Sequence, residues 1–359
     1  MKTVPGLYGL DHSNRNFKDK YYWGKNQFNS SFPAALACYM RDQGHPAVYI
    51  RHATDCKTTV NELSISELFG TSKSNNELFF SFEDAYSPFQ RFVYDALKPI
   101  DLVIKSNDGN IPIRPLEVKL TVLPDNTTSD KTEDGYGAEL VIRNPTMRYM
   151  AMSMAESCVD NLAALRDIFS PVCNRIRHWD VGETMRTHRE KLFAALEAFI
   201  QEFQYLQRPL LMQPVWKTIG KSSRLADHCL DIFVWSDFAM TRLFMDSATS
   251  ESSLSSEKIS RQQRTAFRLI RFLHELSTSS ENRVFQEPIY DGMNFGAQND
   301  KGFAISGNKT NQYLRSPRLT KPVIHKNEIK NIVLGDGHKL LSPERRFDAI
   351  LYFSKDLFE

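Results

Sequence analysis

The clearest alternation along the chain runs from Leu116 to Val122. Leu116, Val118, Leu120 and Val122 fall on one face and Glu117, Lys119 and Thr121 on the other, the period-two pattern of a half-buried strand. Ahead of it stand Pro99-Ile100-Asp101 and the apolar run Leu102-Val103-Ile104. Between the two runs lies Asn107-Asp108-Gly109-Asn110, a hairpin signal because glycine accepts positive φ without steric cost. Upstream, the pattern predicts a helix from Ala34 to Arg41 stopping at Gly44, a strand from Ala47 to His52 and a short helix from Ser64 to Phe69. Ser87-Pro88 suits a helix start, and Phe89, Phe92, Val93, Ala96 and Leu97 form one stripe behind it.

Downstream, Glu139 to Arg143 predicts a third strand, and Asn144-Pro145 opens a helix with Met147, Met150 and Met154 on one side. Methionines at that spacing are core packing. Residues 187–207 predict a long helix with Leu192, Phe193, Leu196, Phe199, Ile200, Phe203 and Leu206 on one face, suited to internal packing or to a contact between two copies. Pro209 to Ile219 and Leu230 to Trp235 read as strands, Ser247 to Ser256 as a loop and Phe347 to Phe353 as a closing strand. The helix after the serine-rich stretch carries Arg261, Arg264, Arg268 and Arg271 on one side, which fits a solvated face or a rail for phosphates.

The hairpin folds Asp101 back towards Glu117 and Lys119. A two-residue turn at Asp108-Gly109 sets Asp101 opposite Leu116, on the apolar face; one extra residue or a bulge sets it opposite Glu117. Pro112 and Pro115 donate no amide hydrogen, so an irregular ladder is expected. Two carboxylates are ligands that hard Mg²⁺ takes, and a nearby lysine can orient or deprotonate a water and offset phosphate charge. The same Glu-x-Lys also suits an amphipathic strand with its charges in water, and the residues alone leave both readings open.

Pro99-Ile100-Asp101 followed by Glu117-Val118-Lys119 resembles the signature of the PD-(D/E)xK nuclease superfamily. The resemblance implies a metal held by Asp101 and Glu117, with the Val118 carbonyl as a further ligand, and Lys119 assisting the attacking water. It also implies an acidic residue near the metal, for which Glu83 is the candidate and Asp84 the reserve. A helix, three strands and a helix are the heart of that fold. A narrower resemblance lies in Trp23-Gly24-Lys25-Asn26-Gln27-Phe28-Asn29-Ser30-Ser31-Phe32-Pro33, after Pro5-Gly6-Leu7-Tyr8-Gly9, which is similar to the opening of the HindVP/HgiDI type II restriction endonucleases. That family implies Mg²⁺-dependent cleavage of both strands of double-stranded DNA at a short palindrome resembling GRCGYC, leaving 5′-phosphate ends. One such site attacks one strand and a palindrome presents the same bases twice, so a two-fold homodimer is expected, with a cognate DNA methyltransferase acting on the same site without direct contact.

Composition adds further constraints. The net charge is only +2, with 41% hydrophobic and 25% charged residues, so any surface for a polyanion comes from local clustering. Residues 301–330 hold seven Lys/Arg against one acid, interleaved with Asn, Gln and Ser; Lys309, Asn311, Arg315, Arg318 and Lys321 are candidate DNA contacts, the alternative being a flexible basic loop. In the amino-terminal arm, Lys25, Asn26, Asn29 and Ser30 are candidates of the same kind, although an arm pinned by its aromatics has the same composition. Cys38, Cys56, Cys158, Cys173 and Cys229 form no C-x-x-C pair and read as free thiols. No run reaches 18 apolar residues and no signal-peptide pattern opens the sequence, so a cytoplasmic protein without membrane contact is expected. No phosphate-cradling GxxxxGK[ST] loop is present. The expectation is a mixed α/β (α+β) restriction-endonuclease-like domain over 1–359, a central mixed sheet flanked by helices. Its nuclease core spans about 83–240, with an arm at 1–33 and a basic segment at 301–330.

Overall fold

The computed structural model describes residues 10, 12–15, 25–52, 58–108, 110–118, 140–214, 216–219, 222–225, 232–297 and 301–305. The first part of the chain forms α1 (Lys25–Asp42), β1 (Ala47–His52), β2 (Thr58–Leu63), α2 (Ile65–Phe69), β3 (Leu78–Asp84), β4 (Ile100–Ser106) and β5 (Pro112–Val118). The middle forms β6 (Leu140–Arg143), α3 (Asn144–Ser157), α4 (Leu162–Cys173), α5 (Gly182–Phe203), β7 (Pro209–Pro214), β8 (Trp216–Ile219), β9 (Ser222–Leu225) and β10 (Ile232–Ser236). The last part forms α6 (Asp237–Ala248), α7 (Glu251–Leu254), α8 (Arg261–Thr278), α9 (Gln286–Gly292) and β11 (Lys301–Ile305).

Seven strands make one mixed sheet in the order β2-β1-β10-β7-β5-β4-β3. β1 runs parallel to β10 and β5 parallel to β7; the other neighbours are antiparallel. Helices cover both faces. Phe80, directly across from Ile104, meets Phe69 of α2 on one face. Glu117, one residue out of phase with Leu116, meets Thr146 of α3 on the other. The sheet takes β1, β2 and most of β3 from before residue 83, so it reaches beyond the expected core of 83–240.

Several elements form for local reasons. Ser64 caps α2 in a reciprocal box with Glu67, and Gly70 ends it in the left-handed region at φ 70°, its amide returning to Glu67 O. Ser260 and Gln263 start α8 in the same way. The methionine stripe of α3 is core, with Met147, Met150 and Met154 buried.

Elsewhere, long-range packing overrides the local pattern. α1 begins at Lys25 and runs through Pro33, so residues 25–33 are helix and not part of an arm; buried Ala34, Ala35, Leu36, Ala37 and Met40 hold it despite the missing amide hydrogen. The helix expected from Ser87 is a 3₁₀ segment ending at Phe92, because Val93 bridges to Val284. β6 is a strand but pairs with β11 outside the main sheet; β3 fills the third place beside β4 and β5. Four residues of the expected serine-rich loop form α7.

The apolar face of α5 is spent inside the molecule: Leu192, Phe193, Leu196, Phe199, Ile200 and Phe203 are buried, with Phe193 stacked on Phe267 of α8 and Phe199 on Phe238 of α6. That face offers no contact to a second copy. The arginines of α8 form neither an open rail nor a solvated face. Arg264 and Arg268 are buried, and Arg268 donates to Asn144 Oδ1 at 3.1 Å, Asn294 Oδ1 at 2.6 Å and the Tyr290 carbonyl. β11 is pressed between α8 and α3 at Gly302, whose carbonyl accepts from the Thr265 hydroxyl. A Cβ there would stand 2.6 Å from Met147 Cγ. Among the described residues no helix is long and apolar enough to cross a membrane, and Cys38, Cys158 and Cys173 are free and buried.

Candidate active site

The site is built by an irregularity in the β4–β5 ladder. Near the turn, Lys105 pairs with Pro112, a register that would carry Asp101 to Leu116. Between Lys105 and Ile104 the register shifts, leaving Ile113 as the extra residue, and from Ile104↔Arg114 onward the offset is one larger, through Leu102↔Leu116. One step further sets Asp101 beside Glu117, with both side chains on the α3 face. Asp101 Oδ2 accepts the Val118 amide at 2.9 Å, which ties the two strands together at this end.

Glu117 is only 7% exposed, because β5 lies inside the sheet between β4 and β7 and α3 covers it. A strand that leaves its charges in water does not bury its glutamate, so the amphipathic-surface reading of Glu117 falls. The carboxylate is instead seated by Thr146, whose hydroxyl donates to Oε1 at 2.6 Å. Thr146 stands in the first turn of α3, where the positive end of the helix dipole also favours an anion. One turn on, Tyr149 is buried among Phe89, Tyr86 and Glu117; its hydroxyl has no hydrogen-bond partner, and burial, then Tyr86 and Glu117, push its pKa well above the usual phenol.

The third acid does not join this pair. Glu83 takes the left-handed backbone at φ 51°, and its carboxylate, 56% exposed, pairs with Arg15 at 2.9 Å. That twist breaks the alternation of β3 and turns Asp84 onto the Asp101 face, where it meets Lys105 Nζ at 2.6 Å and Ser81 Oγ at 2.7 Å. Burial raises the Asp84 carboxyl, but the bonds from Lys105, Ser81 and the Ala85 amide outweigh it and leave it below its ordinary value. Asp84 is thereby engaged as the partner of Lys105. Among the described residues no three His, Cys, Asp or Glu side chains converge as a metal cage. Asp101 and Glu117 together make the carboxylate pair that Mg²⁺ takes when waters or substrate oxygens complete its shell. The residues fit that ion as a two-carboxylate site, not as a closed cage.

Lys119, Lys309, Asn311, Arg315, Arg318 and Lys321 lie outside the described residues. Lys25, Asn26, Asn29 and Ser30 fall in the first turns of α1, where the backbone alone is described. Sequence reasoning missed Thr146. The only local sign of it was Asn144-Pro145, which starts a helix at the place where a hydroxyl two residues on can face the sheet.

Comparison with known proteins gives a consistent picture. The family model described as HindVP restriction endonuclease matches residues 23–358. The type II restriction enzyme HgiDI of Herpetosiphon aurantiacus is 38% identical over 355 residues, covering 99% of this chain and 97% of that protein. The probable type II restriction enzyme HindVP of Haemophilus influenzae is 39% identical over 360 residues, covering 100% of this chain and 96% of that one. No solved structure matches.

Proposed function

Since the chain belongs to the HindVP restriction endonuclease family and is a type II restriction endonuclease, we propose that Asp101, Glu117 and Lys119 form its catalytic unit, with Mg²⁺ as cofactor. The observation that carries this reading is the shifted register that sets Asp101 beside a buried Glu117. The three-stranded antiparallel run β3-β4-β5, followed by helices and by β7 parallel to β5, supports a PD-(D/E)xK-like core. In this reading Asp101 and Glu117 hold the metal, joined by the Val118 carbonyl. Bound there, Mg²⁺ supplies Lewis-acid polarisation of a phosphoryl oxygen.

The remaining chemistry belongs to side chains. Lys119 orients the attacking water and manages its proton, and its charge offsets that of the phosphate in the transition state. The water oxygen bonds to phosphorus as the bond to the 3′ oxygen breaks, which leaves a 5′-phosphate and a 3′-hydroxyl. Double-stranded DNA is the substrate, cut at a palindrome of the GRCGYC kind. Each catalytic unit serves one strand, so a two-fold homodimer cuts both. A cognate methyltransferase protects the same sequence, and the reaction takes place in the cytoplasm.

The test is incubation of unmethylated plasmid with the purified protein in Mg²⁺ or in EDTA. Discrete fragments in Mg²⁺ alone support the reading. Smears or nicks point to a nuclease without site specificity, and intact plasmid to a DNA-binding protein that does not cut. Asp101→Ala and Glu117→Ala should each abolish cleavage with the fold retained; near-normal cutting by Glu117→Ala sinks the assignment.

A further inference from the structure

Among the described residues, β5 and β7 are joined only at one end, by Glu117↔Leu211 and Val118↔Met212. Towards the start of β5 they part, and a cavity of about 690 Å³ opens there, its lining including Arg114, Arg208, Glu156, Tyr86, Thr71 and Ser72. Arg114 lies three strand positions before Glu117, roughly 10 Å along β5.

The Arg114 guanidinium is packed over the backbone of Gly70. A Cβ at position 70 would stand 2.8 Å from Nε and 2.9 Å from Nη2, so glycine is what allows the side chain to lie there. Nε is buried without a hydrogen-bond partner, and no carboxylate among the described residues forms an ion pair with Arg114. Burial and, after it, the neighbouring Arg208 both depress its pKa. Glu156, the nearest counter-charge, is already bound to Arg208 at 2.7 Å, with Arg91 at 3.9 Å. Arg208 and Arg91 thus already share Glu156, and the other acid in the lining, Glu67, accepts from the Ser64 amide and hydroxyl in the cap of α2. A guanidinium that is mostly buried and unpaired is costly to keep, and here it borders an open cavity instead of a counter-ion.

We propose that this cavity is an anion site, receiving a phosphate group on Arg114 with Arg208 beside it. The planar fork of arginine fits two phosphate oxygens at once, and the hydroxyls of Thr71 and Ser72 supply further donors in the lining. The phosphate comes either from a DNA backbone or from solution; the chemistry is shared, and the experiment separates the sources. The inference does not depend on Asp101 and Glu117 being catalytic.

The experiment compares the full chain with Arg114→Met and Arg114→Gln. Thermal melting is followed in inorganic phosphate and in chloride at equal ionic strength. DNA binding is followed in Ca²⁺ across a salt series. The expected result is that phosphate raises the Tm of the wild type and not of the variants, while in chloride the variants melt no lower than the wild type, having lost an unpaired charge. If the site holds a DNA phosphate, the slope of log K against log salt also falls by about 0.9 in the variants. An unchanged slope with a lost phosphate response identifies free phosphate as the occupant. The proposal is overturned if both variants melt well below the wild type in chloride, since Arg114 is then a structural arginine. It is overturned equally if neither the phosphate response nor the salt slope differs from wild type. Failure of plasmid cleavage leaves it untouched, because neither readout uses the reaction.

Discussion

Thr146→Val removes the hydroxyl that seats Glu117 and keeps the shape of the side chain. The bond is short, 2.6 Å, and both partners are buried, Thr146 at 4% exposure and Glu117 at 7%. A hydrogen bond to a charged group contributes about 1.5–3 kcal/mol, and here water has little access to replace it. The variant should lose that much stability at neutral pH, read as a lower urea midpoint with an unchanged m-value. Thr146→Ser keeps the donor and should recover most of it. In a double-mutant cycle with Glu117→Gln, the two changes should be non-additive by about 1 kcal/mol or more. If Glu117 is a metal ligand, loosening its seat should also raise the Mg²⁺ concentration for half-maximal cleavage by roughly 10–100-fold. Equal midpoints for wild type and Thr146→Val, or a Thr146→Ser variant as damaged as the valine, would refute the reasoning.

Further outcomes follow from other sites. Burial pushes the Asp237 carboxyl from 3.8 up to about 6 against the bonds from Ser153 and the Phe238 amide, so the folded state holds its proton more tightly than the unfolded chain. Its contribution is therefore most favourable below about pH 4 and is lost as pH rises towards 6, by about 3 kcal/mol; the stability difference between wild type and Asp237→Asn should trace that fall, and a flat difference refutes it. Arg268→Met breaks bonds to Asn144, Asn294 and Tyr290 and should cost about 2–4 kcal/mol in denaturant melts, whereas weaker DNA binding at unchanged stability would restore the phosphate-rail reading. Neutralising Arg315, Arg318 and Lys321 together should weaken binding to all DNAs and flatten its salt dependence; unchanged affinity and specificity remove the basic segment from the interface. A mixed dimer of active and Glu117→Ala subunits should nick its site, and a monomer on cognate DNA whose mixtures give only breaks or intact plasmid defeats the dimer.

The Asp101–Glu117 hairpin could be read from the sequence because all its determinants are local: alternation on one arm, Asp-Gly in the turn, and two prolines that disturb the ladder. α2 was equally legible, since Ser64 and Gly70 mark its ends through their own hydrogen bonds. What failed was non-local. β6 was a strand as expected, but its partner β11 lies far along the chain, and no local pattern specifies that pairing. The 3₁₀ segment at Ser87–Phe92 has helix-start residues, yet the bridge from Val93 to Val284 ends it early. The arginines of α8 show the same limit from another side. Periodicity placed them on one face but said nothing of the carbonyls and amides waiting to cover Arg268. Thr146 had no sign beyond the helix start at Asn144-Pro145 and Arg114 had none, because an ordinary threonine and an ordinary arginine become special only through what the fold sets beside them.

Gly302 behaves as a shim with no clearance. On one side α8 grips its carbonyl through Thr265, and on the other Met147 already occupies the space a methyl group would need. Met147 is the neighbour of Thr146, so a side chain at position 302 would press on the first turn of α3, the turn that carries the seat of Glu117. A push on β11 towards α3 has no slack to absorb it. The basic stretch 306–330 follows β11 directly in the sequence, so a load applied there would reach a strand wedged one residue away from the threonine that holds the acid.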